Sequence, residues 1–197
     1  MNLIIASNNS GKIREYKDLL EPFGCSVLSL AEAGLDLDAE ENGTTFEENA
    51  VLKARAVWEQ AHTFVISDDS GLEVRALSNE PGIYSARYKG LTTDHERRLA
   101  ILEGLKDAMD RSARMVTCIC LMDAAGGIHL FKGIWNGRIA DREAGRSGFG
   151  YDRIFIGEES DGRTTAEYPI SFKETFSHRA KASALLTGWL EQQSGFT

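Results

Sequence analysis

The sequence has only three cysteines, no long apolar run and no excess of positive charge. An odd number of cysteines without metal-ligand spacing provides neither a disulfide framework nor a zinc site, and Cys118 and Cys120 have the spacing of neighbours on one face of a strand. We interpret all three as small buried apolar side chains. No apolar run approaches the roughly 18 residues that span a bilayer, and Met1 leads directly into a strand pattern rather than a signal peptide. We therefore expect a soluble cytoplasmic protein with no membrane partner.

The charge balance argues against nucleic acid as a partner. The chain carries 30 acidic and 22 basic residues, for a formal net charge of -8, whereas a groove for a polyanion needs clustered positive charge. A compact phosphate ligand needs only a few local cations and a divalent metal, and an acidic chain can supply both the cations and the carboxylates for the metal. A small phosphorylated molecule therefore remains possible as a ligand.

The order of the short patterns predicts an α/β fold. The apolar run Asn2–Ala6 is followed by a polar loop and then by apolar residues at helical spacing from Ile13 to Phe23. Gly24 stands where this helix would end, and Cys25–Leu30 predicts a second strand. With 197 residues, of which 42% are hydrophobic, the chain fits one domain over residues 1–197, or two lobes that share a core.

Two more helices begin with the pattern of a capping box. Thr45 is followed three residues later by Glu48, and Thr93 is followed by Glu96. Apolar residues at helical spacing follow both pairs. We therefore predict a second helix through Ala61 and a third over about 94–106.

A central hairpin makes the predicted sheet a mixed one. Met115–Met122 is apolar on both alternating faces, which is typical of a central strand, and the turn 123–127 leads into a further strand at Ile128–Trp135. A strand at Ile154–Ile156 and a C-terminal helix capped by Ser177 complete the pattern. We predict a mixed central sheet with flanking helices.

Two adjacent acids follow the buried strand predicted over Thr63–Ser67. Asp68 and Asp69 lead into Ser-Gly, and we interpret 68–71 as a turn at the end of that strand. Neighbouring carboxylates repel each other unless a cation or hydrogen bonds compensate, and strand ends commonly line α/β ligand crevices. Both a magnesium site and an ordinary solvated turn fit the pattern. Two further candidate magnesium ligands are Glu40 and Glu41.

The first loop nearly matches a P-loop but fails at two positions. Ala6 replaces the first glycine, and Ile13 replaces the serine or threonine that would bind magnesium. The loop still enters a helix N-terminus, where free backbone N–H groups and the helix dipole favour an anion, and Lys12 adds a full charge. Both phosphate binding and an ordinary polar connection fit this loop.

The segment Ser147–Asp152 places glycines around aromatic rings. Such a backbone can approach a flat ligand closely while Phe149 or Tyr151 stacks on it, although a glycine-rich hairpin with core aromatics fits equally well. Further cationic groups that could contact a phosphorylated ligand are Lys53, Lys173, His178 and Arg179.

Taken in this order, the segments resemble the inosine triphosphate pyrophosphatase family. The resemblance covers the whole chain and rests on Ser7-x-Asn9-x-x-Lys12, Asn42–Ala50 with Leu52-Lys53-Ala54, Ser67–Leu72, Pro81–Tyr88, Gly148–Asp152 and Ser177-His178-Arg179. It implies an elongated α/β fold with a long mixed sheet, two lobes around a substrate cleft, and a homodimer. It also implies Mg²⁺-dependent hydrolysis of non-standard purine nucleoside triphosphates, such as ITP, dITP and XTP, to the monophosphate and pyrophosphate.

The same resemblance implies a role for each matching residue. Asp69 would serve as the general base, and Glu40 and Asp69 would bind Mg²⁺. The triphosphate would be bound by Ser7, Asn8, Asn9, Ser10, Gly11, Lys12 and Lys53. The rest of the substrate would be contacted by Ser70, Phe149, Gly150, Tyr151, Asp152, Lys173, His178 and Arg179. At Asn79, where the family usually has glycine, we expect a left-handed backbone.

The absence of a nucleophile paired with a base predicts direct attack by water on the α-phosphorus. Two other function classes fit parts of the sequence. Ser10-Gly11-Lys12 would suit a P-loop NTPase or kinase, which releases phosphate or transfers the γ-phosphoryl group. A nucleotide-binding sensor on the same fold would bind a triphosphate without turnover.

Overall fold

The computed structural model describes residues 2–37 and 39–192. The chain divides into two compact units. The first unit comprises Met1–Asp69, Cys118–Lys132 and Ala182–Thr197, and the second comprises Ser70–Thr117 and Gly133–Lys181. Whether the whole chain behaves as one domain over 1–197 stays a prediction.

The strands form one mixed sheet, as the sequence predicted. The order of the strands is β2-β1-β3-β5-β6-β7, with β4 paired to β3. β1 is parallel to both β2 and β3, whereas β4 is antiparallel to β3 and β7 is antiparallel to β6. The strands are β1 (Asn2–Ile5), β2 (Ser26–Ser29), β3 (Phe64–Val74), β4 (Glu80–Pro81), β5 (Ser112–Met122), β6 (Ile128–Ile139) and β7 (Phe155–Gly157).

The four helices expected from periodicity and capping are present. A fifth, the seven-residue α4, was not predicted, because the segment is too short to show a helical period. The helices are α1 (Ser10–Leu20), α2 (Phe46–Ala61), α3 (Asp94–Gly104), α4 (Ile170–Phe176) and α5 (His178–Gln192). None of the helices in the described residues is long and apolar enough to cross a membrane.

The first unit has a core layer on each face of its part of the sheet. Leu3 and Ile5 of β1 pack with side chains of α1 and α5, whereas Ile4 between them packs with side chains of α2. Successive side chains of a strand point to opposite faces, so α1 and α5 cover one face and α2 covers the other. Each fully buried Leu or Ile contributes roughly 1.5–3 kcal/mol through burial.

The core of the second unit is built around Trp135 of β6. Its indole lies edge-on to Phe155, with ring centroids 5.2 Å apart, and Ile101 of α3 packs into the same cluster. The close packing leaves no room for a side chain at Gly157, where a Cβ would lie 2.3 Å from the indole. Glycine at the end of β7 therefore permits the indole to be fully buried.

The predicted turn at 68–71 is wrong. β3 runs without interruption from Phe64 to Val74, so Asp68 and Asp69 lie inside a strand. Both are buried, with 2% and 7% of their surface exposed. Strand propensity counts against adjacent acids, but lysines on each side supply the compensating charge, as described below, and tertiary contacts override local preference here.

Two capping details differ between the helices. At α3 the capping box of Thr93 and Glu96 is complete. At α2 the Thr45 side chain accepts from the Glu48 amide, but Glu48 in turn accepts from the amide of Thr44, at 2.6 Å, so the predicted box is only half formed. Asn79 has the expected left-handed backbone, with φ of 67°.

Candidate active site

The acids of β3 pair with lysines from two different helices of the first unit. The Nζ atom of Lys12 lies 2.7 Å from Oδ1 of Asp68. The Nζ atom of Lys53 lies 2.8 Å from Oδ1 of Asp69. Lys12 belongs to the first turn of α1, and Lys53 belongs to the middle of α2. The two ion pairs thus join segments that are separate in sequence, because Lys12 lies 56 positions before Asp68 and Lys53 lies 16 positions before Asp69.

The alternation of β3 explains why each acid meets a different helix. Asp68 and Asp69 are neighbours in a strand and point to opposite faces of the sheet. α1 covers one face and α2 the other. The Ser67 hydroxyl donates to the backbone carbonyl of Ala50 at 2.6 Å, which ties α2 to β3 beside the pair. One strand thereby presents a carboxylate to the start of α1 and another to the middle of α2.

Glu41 contacts this cluster directly, whereas the neighbouring Glu40 faces solvent. The carboxylate of Glu41 lies 2.9 Å from Nζ of Lys53, while Glu40 is exposed. The fully buried Asn49 of α2 donates to Oδ2 of Asp69 at 3.3 Å and accepts from the amide of Gly43 at 2.9 Å. Asn49 therefore links the loop before α2 to the strand acids.

Three carboxylates and two ammonium groups meet in this cluster. Three carboxylates, those of Glu41, Asp68 and Asp69, share the two ammonium groups of Lys12 and Lys53. Burial, together with the charge of Glu41, raises the pKa of Asp69 despite the attraction of Lys53. Burial alone would lower the pKa of Lys53, but Asp69 and Glu41 outweigh it and raise the pKa above its ordinary value. Carboxylates gathered in this way can also bind a cation.

The donor set fits a magnesium ion. Within residues 2–37 and 39–192, no three His, Cys, Asp or Glu side chains converge as a ready-made metal cage. Magnesium typically takes only one or two protein carboxylates and completes its shell with water and substrate phosphate oxygens. The carboxylate oxygens of the cluster are ligands of the kind that such an ion prefers.

More backbone amides of the loop Ser7–Lys12 are hydrogen-bonded within the protein than the sequence indicated. The side chain of Asn9 accepts from the amides of Gly11 and Lys12, at 2.9 and 3.1 Å, and caps α1. The Asn9 amide donates to Ser7 Oγ at 3.2 Å. The expectation of free amides is therefore wrong for these three positions. Asn8, Ser10 and Gly11 are exposed at the start of the helix, where the helix dipole favours an anion.

The segment Ser147–Asp152 of the second unit, called the nucleoside segment below, is ordered by Asp152. This buried carboxylate accepts from the Phe149 amide at 2.8 Å and from Nζ of Lys173 at 2.7 Å. The same ammonium group lies 4.1 Å from the centroid of the Phe149 ring. The Phe149 side chain remains half exposed. Lys173 thus has a protein partner, and Phe149 presents an aromatic surface.

Tyr151 and Gly150 are fixed by other parts of the second unit. The Tyr151 hydroxyl donates to the backbone carbonyl of Ser85 at 2.8 Å, and its burial raises its pKa. The Gly150 amide donates to Asp94 at 2.8 Å, and its carbonyl accepts from Arg98 at 2.7 Å. Tyr151 therefore belongs to the core, while Gly150 is bound through its backbone.

Ser70, His178 and Arg179 are the other residues of the second unit that were predicted to contact the substrate. Arg179 donates to the hydroxyl of Ser70 at 3.3 Å. His178 and Arg179 begin α5 and are buried, with 6% and 7% of their surface exposed. The Ser177 side chain accepts from the Ala180 amide, as the capping pattern predicted. The guanidinium of Arg179 is thereby placed beside Ser70.

Sequence reasoning missed three residues that organise these groups. Asn49 is an amide inside an otherwise amphipathic helix stripe, which is a recognisable signal because buried amides need partners. Asp94 and Arg98 have the i, i+4 spacing of neighbours on one helix face, but nothing in the sequence shows that this face contacts Gly150.

Comparison with known proteins identifies close relatives. The model of the Ham1 family matches residues 3–189. The chain is 43% identical to the dITP/XTP pyrophosphatase of Staphylococcus aureus (strain MRSA252), over 95% of each chain. It is 42% identical to the protein of that name from Bacillus subtilis (strain 168), over 95% of this chain and 96% of the relative. The solved structure of a HAM1 protein from Coxiella burnetii superposes with a TM-score of 0.91, at 38% identity, over 98% of this chain and 100% of that one.

Proposed function

Because the chain belongs to the Ham1 family, we propose that it hydrolyses dITP, XTP and ITP to the nucleoside monophosphate and pyrophosphate. It is a nucleoside triphosphate hydrolase of mixed α/β fold. The bond cleaved is the α–β phosphoanhydride, and the enzyme removes non-standard purine nucleotides from the nucleotide pool.

A single observation carries the proposal for the reaction. Lysines from two helices meet adjacent acids of one strand, with Nζ–Oδ distances of 2.7 and 2.8 Å for the Lys12–Asp68 and Lys53–Asp69 pairs. Carboxylates suit a metal and a water molecule, while ammonium groups suit phosphate oxygens. Such a juxtaposition supports hydrolysis of a polyphosphate.

The chemical step needs no covalent intermediate. Water attacks the α-phosphorus, Asp69 accepts the proton of that water, and the α–β bond breaks as pyrophosphate departs. Lys12 and Lys53 stabilise the negative charge that develops on the pyrophosphate. Lys53 and a nearby metal ion would favour the ionised form of Asp69, which is the form that accepts a proton.

We propose magnesium as the metal, bound by Asp69 together with Glu40. Glu41 contacts Lys53 and lies next to Glu40 in sequence, so the loop before α2 offers a second carboxylate to the same group of charges. When bound, the ion neutralises phosphate oxygens and lowers the pKa of water. The protein groups position the triphosphate and accept the proton.

The base is proposed to contact the second set of residues. Phe149 offers a stacking surface, with Gly150, Tyr151, Asp152 and Lys173 ordering the backbone around it. Selectivity for hypoxanthine and xanthine follows if donors, such as Arg179, face the purine 6-oxygen. The amino group of adenine is itself a donor, and a site built for an acceptor rejects it by roughly 10⁴- to 10⁵-fold. Ser70 and His178 complete the proposed contacts.

The two other function classes are less well supported. A P-loop NTPase or kinase would need a hydroxyl where Ile13 stands and a glycine where Ala6 stands. A non-catalytic sensor would have no use for a general base beside a charged lysine pair. Family membership favours the pyrophosphatase.

One assay separates all three classes. Purified protein is incubated with magnesium and, in turn, ITP, dITP, XTP, GTP and ATP, and the products are quantified by ion-exchange chromatography. The proposal expects monophosphate and pyrophosphate in equal amounts from the first three substrates. Release of phosphate would indicate an NTPase, and binding without products would indicate a sensor.

Cytoplasmic location and a homodimer complete the proposal. Location in the cytoplasm follows from the substrate class, because the nucleoside triphosphate pool is there, and cell fractionation tests it. Family resemblance supports the homodimer. Light scattering of the purified protein, coupled to gel filtration, should give twice the chain mass of 21.7 kDa.

A further inference from the structure

Helix α3 contacts the nucleoside segment through two side chains one turn apart. Asp94 accepts from the amide of Gly150 at 2.8 Å. Arg98 donates to the carbonyl of the same residue at 2.7 Å. Residues at i and i+4 lie on one face of a helix, so both polar groups of Gly150 are bound by one face of α3.

These contacts hold the Gly150 peptide at a point where a side chain would have nothing to pack against. A Cβ built on Gly150 would meet nothing within 4 Å, and its φ is 59°. The neighbouring Phe149 side chain is 49% exposed. Gly150 itself therefore has little apolar packing, and its hydrogen bonds to Asp94 and Arg98 act together with the Asp152 contact to Phe149 and the buried Tyr151 to place this peptide.

Arg98 and Asp94 are themselves firmly placed. The side chain of Arg98 is 7% exposed, and its guanidinium also donates to Glu143 at 2.6 Å. Asp94 accepts from Arg97, and α3 begins with a complete capping box. Partial burial would raise the pKa of Asp94, but the hydrogen bonds from Arg97 and Gly150 lower it overall. Its carboxylate therefore stays ionised, and hydrogen bonds to charged groups are the stronger ones.

We propose that Asp94 and Arg98 are positioning residues that set the purine preference of the enzyme by fixing the Gly150 peptide, and with it the ring of Phe149. This inference rests on the proposed function, since it takes the segment Gly148–Asp152 as the nucleobase contact. Neither side chain needs to touch the substrate. Each acts through the backbone, whose displacement by about 1 Å can cost up to roughly 100-fold in rate.

The test compares kcat and KM for dITP and dGTP in Arg98→Met, Arg98→Lys, Asp94→Ala and Asp94→Asn. We expect Arg98→Met and Asp94→Ala to raise the KM for dITP by about 10- to 100-fold and to reduce the preference for dITP over dGTP. Asp94→Asn keeps an acceptor for the Gly150 amide and should retain most of the preference. Arg98→Lys can replace only one of the two donors and should be intermediate.

A merely structural role gives a different pattern. Loss of folded protein lowers the apparent kcat for both substrates equally and leaves each KM and the dITP/dGTP ratio unchanged. Arg114→Met, which removes another arginine–glutamate pair of the second unit, with Glu73, is the matched control and should keep the wild-type ratio.

Folding of the variants does not decide the test. If Arg98→Met does not fold, Asp94→Ala still provides the measurement. We expect this variant to fold, because 43% of the Asp94 side chain is exposed and Thr93 with Glu96 continues to cap α3. An unchanged ratio and KM in folded Asp94→Ala overturns the inference while leaving the pyrophosphatase assignment intact. If the wild-type protein releases no pyrophosphate from dITP or XTP, both the inference and the pyrophosphatase assignment are wrong.

Discussion

The Nζ atom of Lys53 lies 2.8 Å from Oδ1 of Asp69, and only 12% and 10% of the two side chains are exposed. A buried pair of this kind is weak evidence for stability, because desolvation of both charges offsets their attraction. Removing one member is costly, since the other charge is left buried. The pair therefore makes sense as a functional arrangement, and its two members should respond differently to substitution.

Lys53→Met should destabilise the protein and reduce turnover. The variant leaves Asp69 and Glu41 without their shared ammonium group, which we expect to lower the free energy of unfolding by about 3–5 kcal/mol. The double variant Lys53→Met, Asp69→Asn removes both charges of the pair and should recover part of that loss without recovering activity. Urea unfolding and pyrophosphate release on the same samples check this. A single variant as stable as wild type would contradict the burial argument.

Asp69→Asn should abolish most activity while the fold persists, because Lys53 keeps its ion pair with Glu41. Asparagine keeps the shape and can still hydrogen-bond to Asn49, but it cannot accept a proton from water. We expect kcat to fall by at least ~10²- to 10⁴-fold, measured as pyrophosphate release from dITP. Asp18→Asn, at an exposed position of α1, is the control and should behave as wild type. Turnover within tenfold of wild type would rule out Asp69 as the general base.

The layout of the fold was accessible from the sequence because it depends on local signals. Apolar periodicity and the caps at Thr45, Thr93 and Ser177 located α2, α3 and α5, and the apolar run from Met115 located β5. These signals act over one or two turns of chain. They say nothing about which side chains from distant segments meet.

The contacts of the candidate site join distant segments and were not predictable from local sequence patterns. Asp68 and Asp69 were predicted to lie in a turn because the lysines that compensate their charges belong to other segments, α1 and α2. The choice between Glu40 and Glu41 depends on which neighbour points at Lys53, and this is decided by tertiary contacts alone. Recognition of the family supplied the residue roles, but not the pairing of Glu41 with Lys53 or the link between Asn49 and Asp69.

Gly145→Ala should destabilise the protein more than Gly162→Ala. Both glycines have positive φ, 77° and 100°, so alanine costs about 1–2 kcal/mol of backbone strain at either position. At Gly145 the new Cβ would also lie 2.2 Å from the backbone of Ala166, whereas at Gly162 nothing lies within 4 Å. Overpacking adds roughly 1–3 kcal/mol. Chemical denaturation of both variants measures the difference, and equal losses would show that the contact with Ala166 relaxes freely.

The native protein should resist thiol reagents. All three cysteines are buried and free, and burial raises the pKa of Cys118 and of Cys120 to about 12, and that of Cys25 above its ordinary value. Thiolate is the reactive form, so at pH 8 almost none is present or accessible. Ellman's reagent should label no cysteine in native protein and three in urea. Rapid labelling of one native thiol would identify a cysteine that opens to solvent.

Glu143 should make the stability of the second unit depend on acid pH. Its carboxylate accepts from Arg98 at 2.6 Å and from His95 at 3.1 Å, with Arg153 at 3.9 Å. Burial opposes ionisation, but Arg98 and His95 outweigh it and hold the pKa below the ordinary 4.5. A lowered pKa in the folded state means that the stabilisation is fully present above pH 4.5 and is lost as the pH falls below that value.

Glu143→Gln isolates this contribution. At pH 7 we expect the variant to lose about 1.5–3 kcal/mol, the range for a hydrogen bond to a charged group. The gap to wild type should narrow steadily as the pH is lowered through 4.5 and below. Glu103→Gln, at an exposed glutamate of α3, should show no such gap. Thermal unfolding of the three proteins between pH 7 and pH 3 provides the measurement. A gap that stays constant over this range would mean that Glu143 acts by packing, because a neutral contact carries no dependence on protonation.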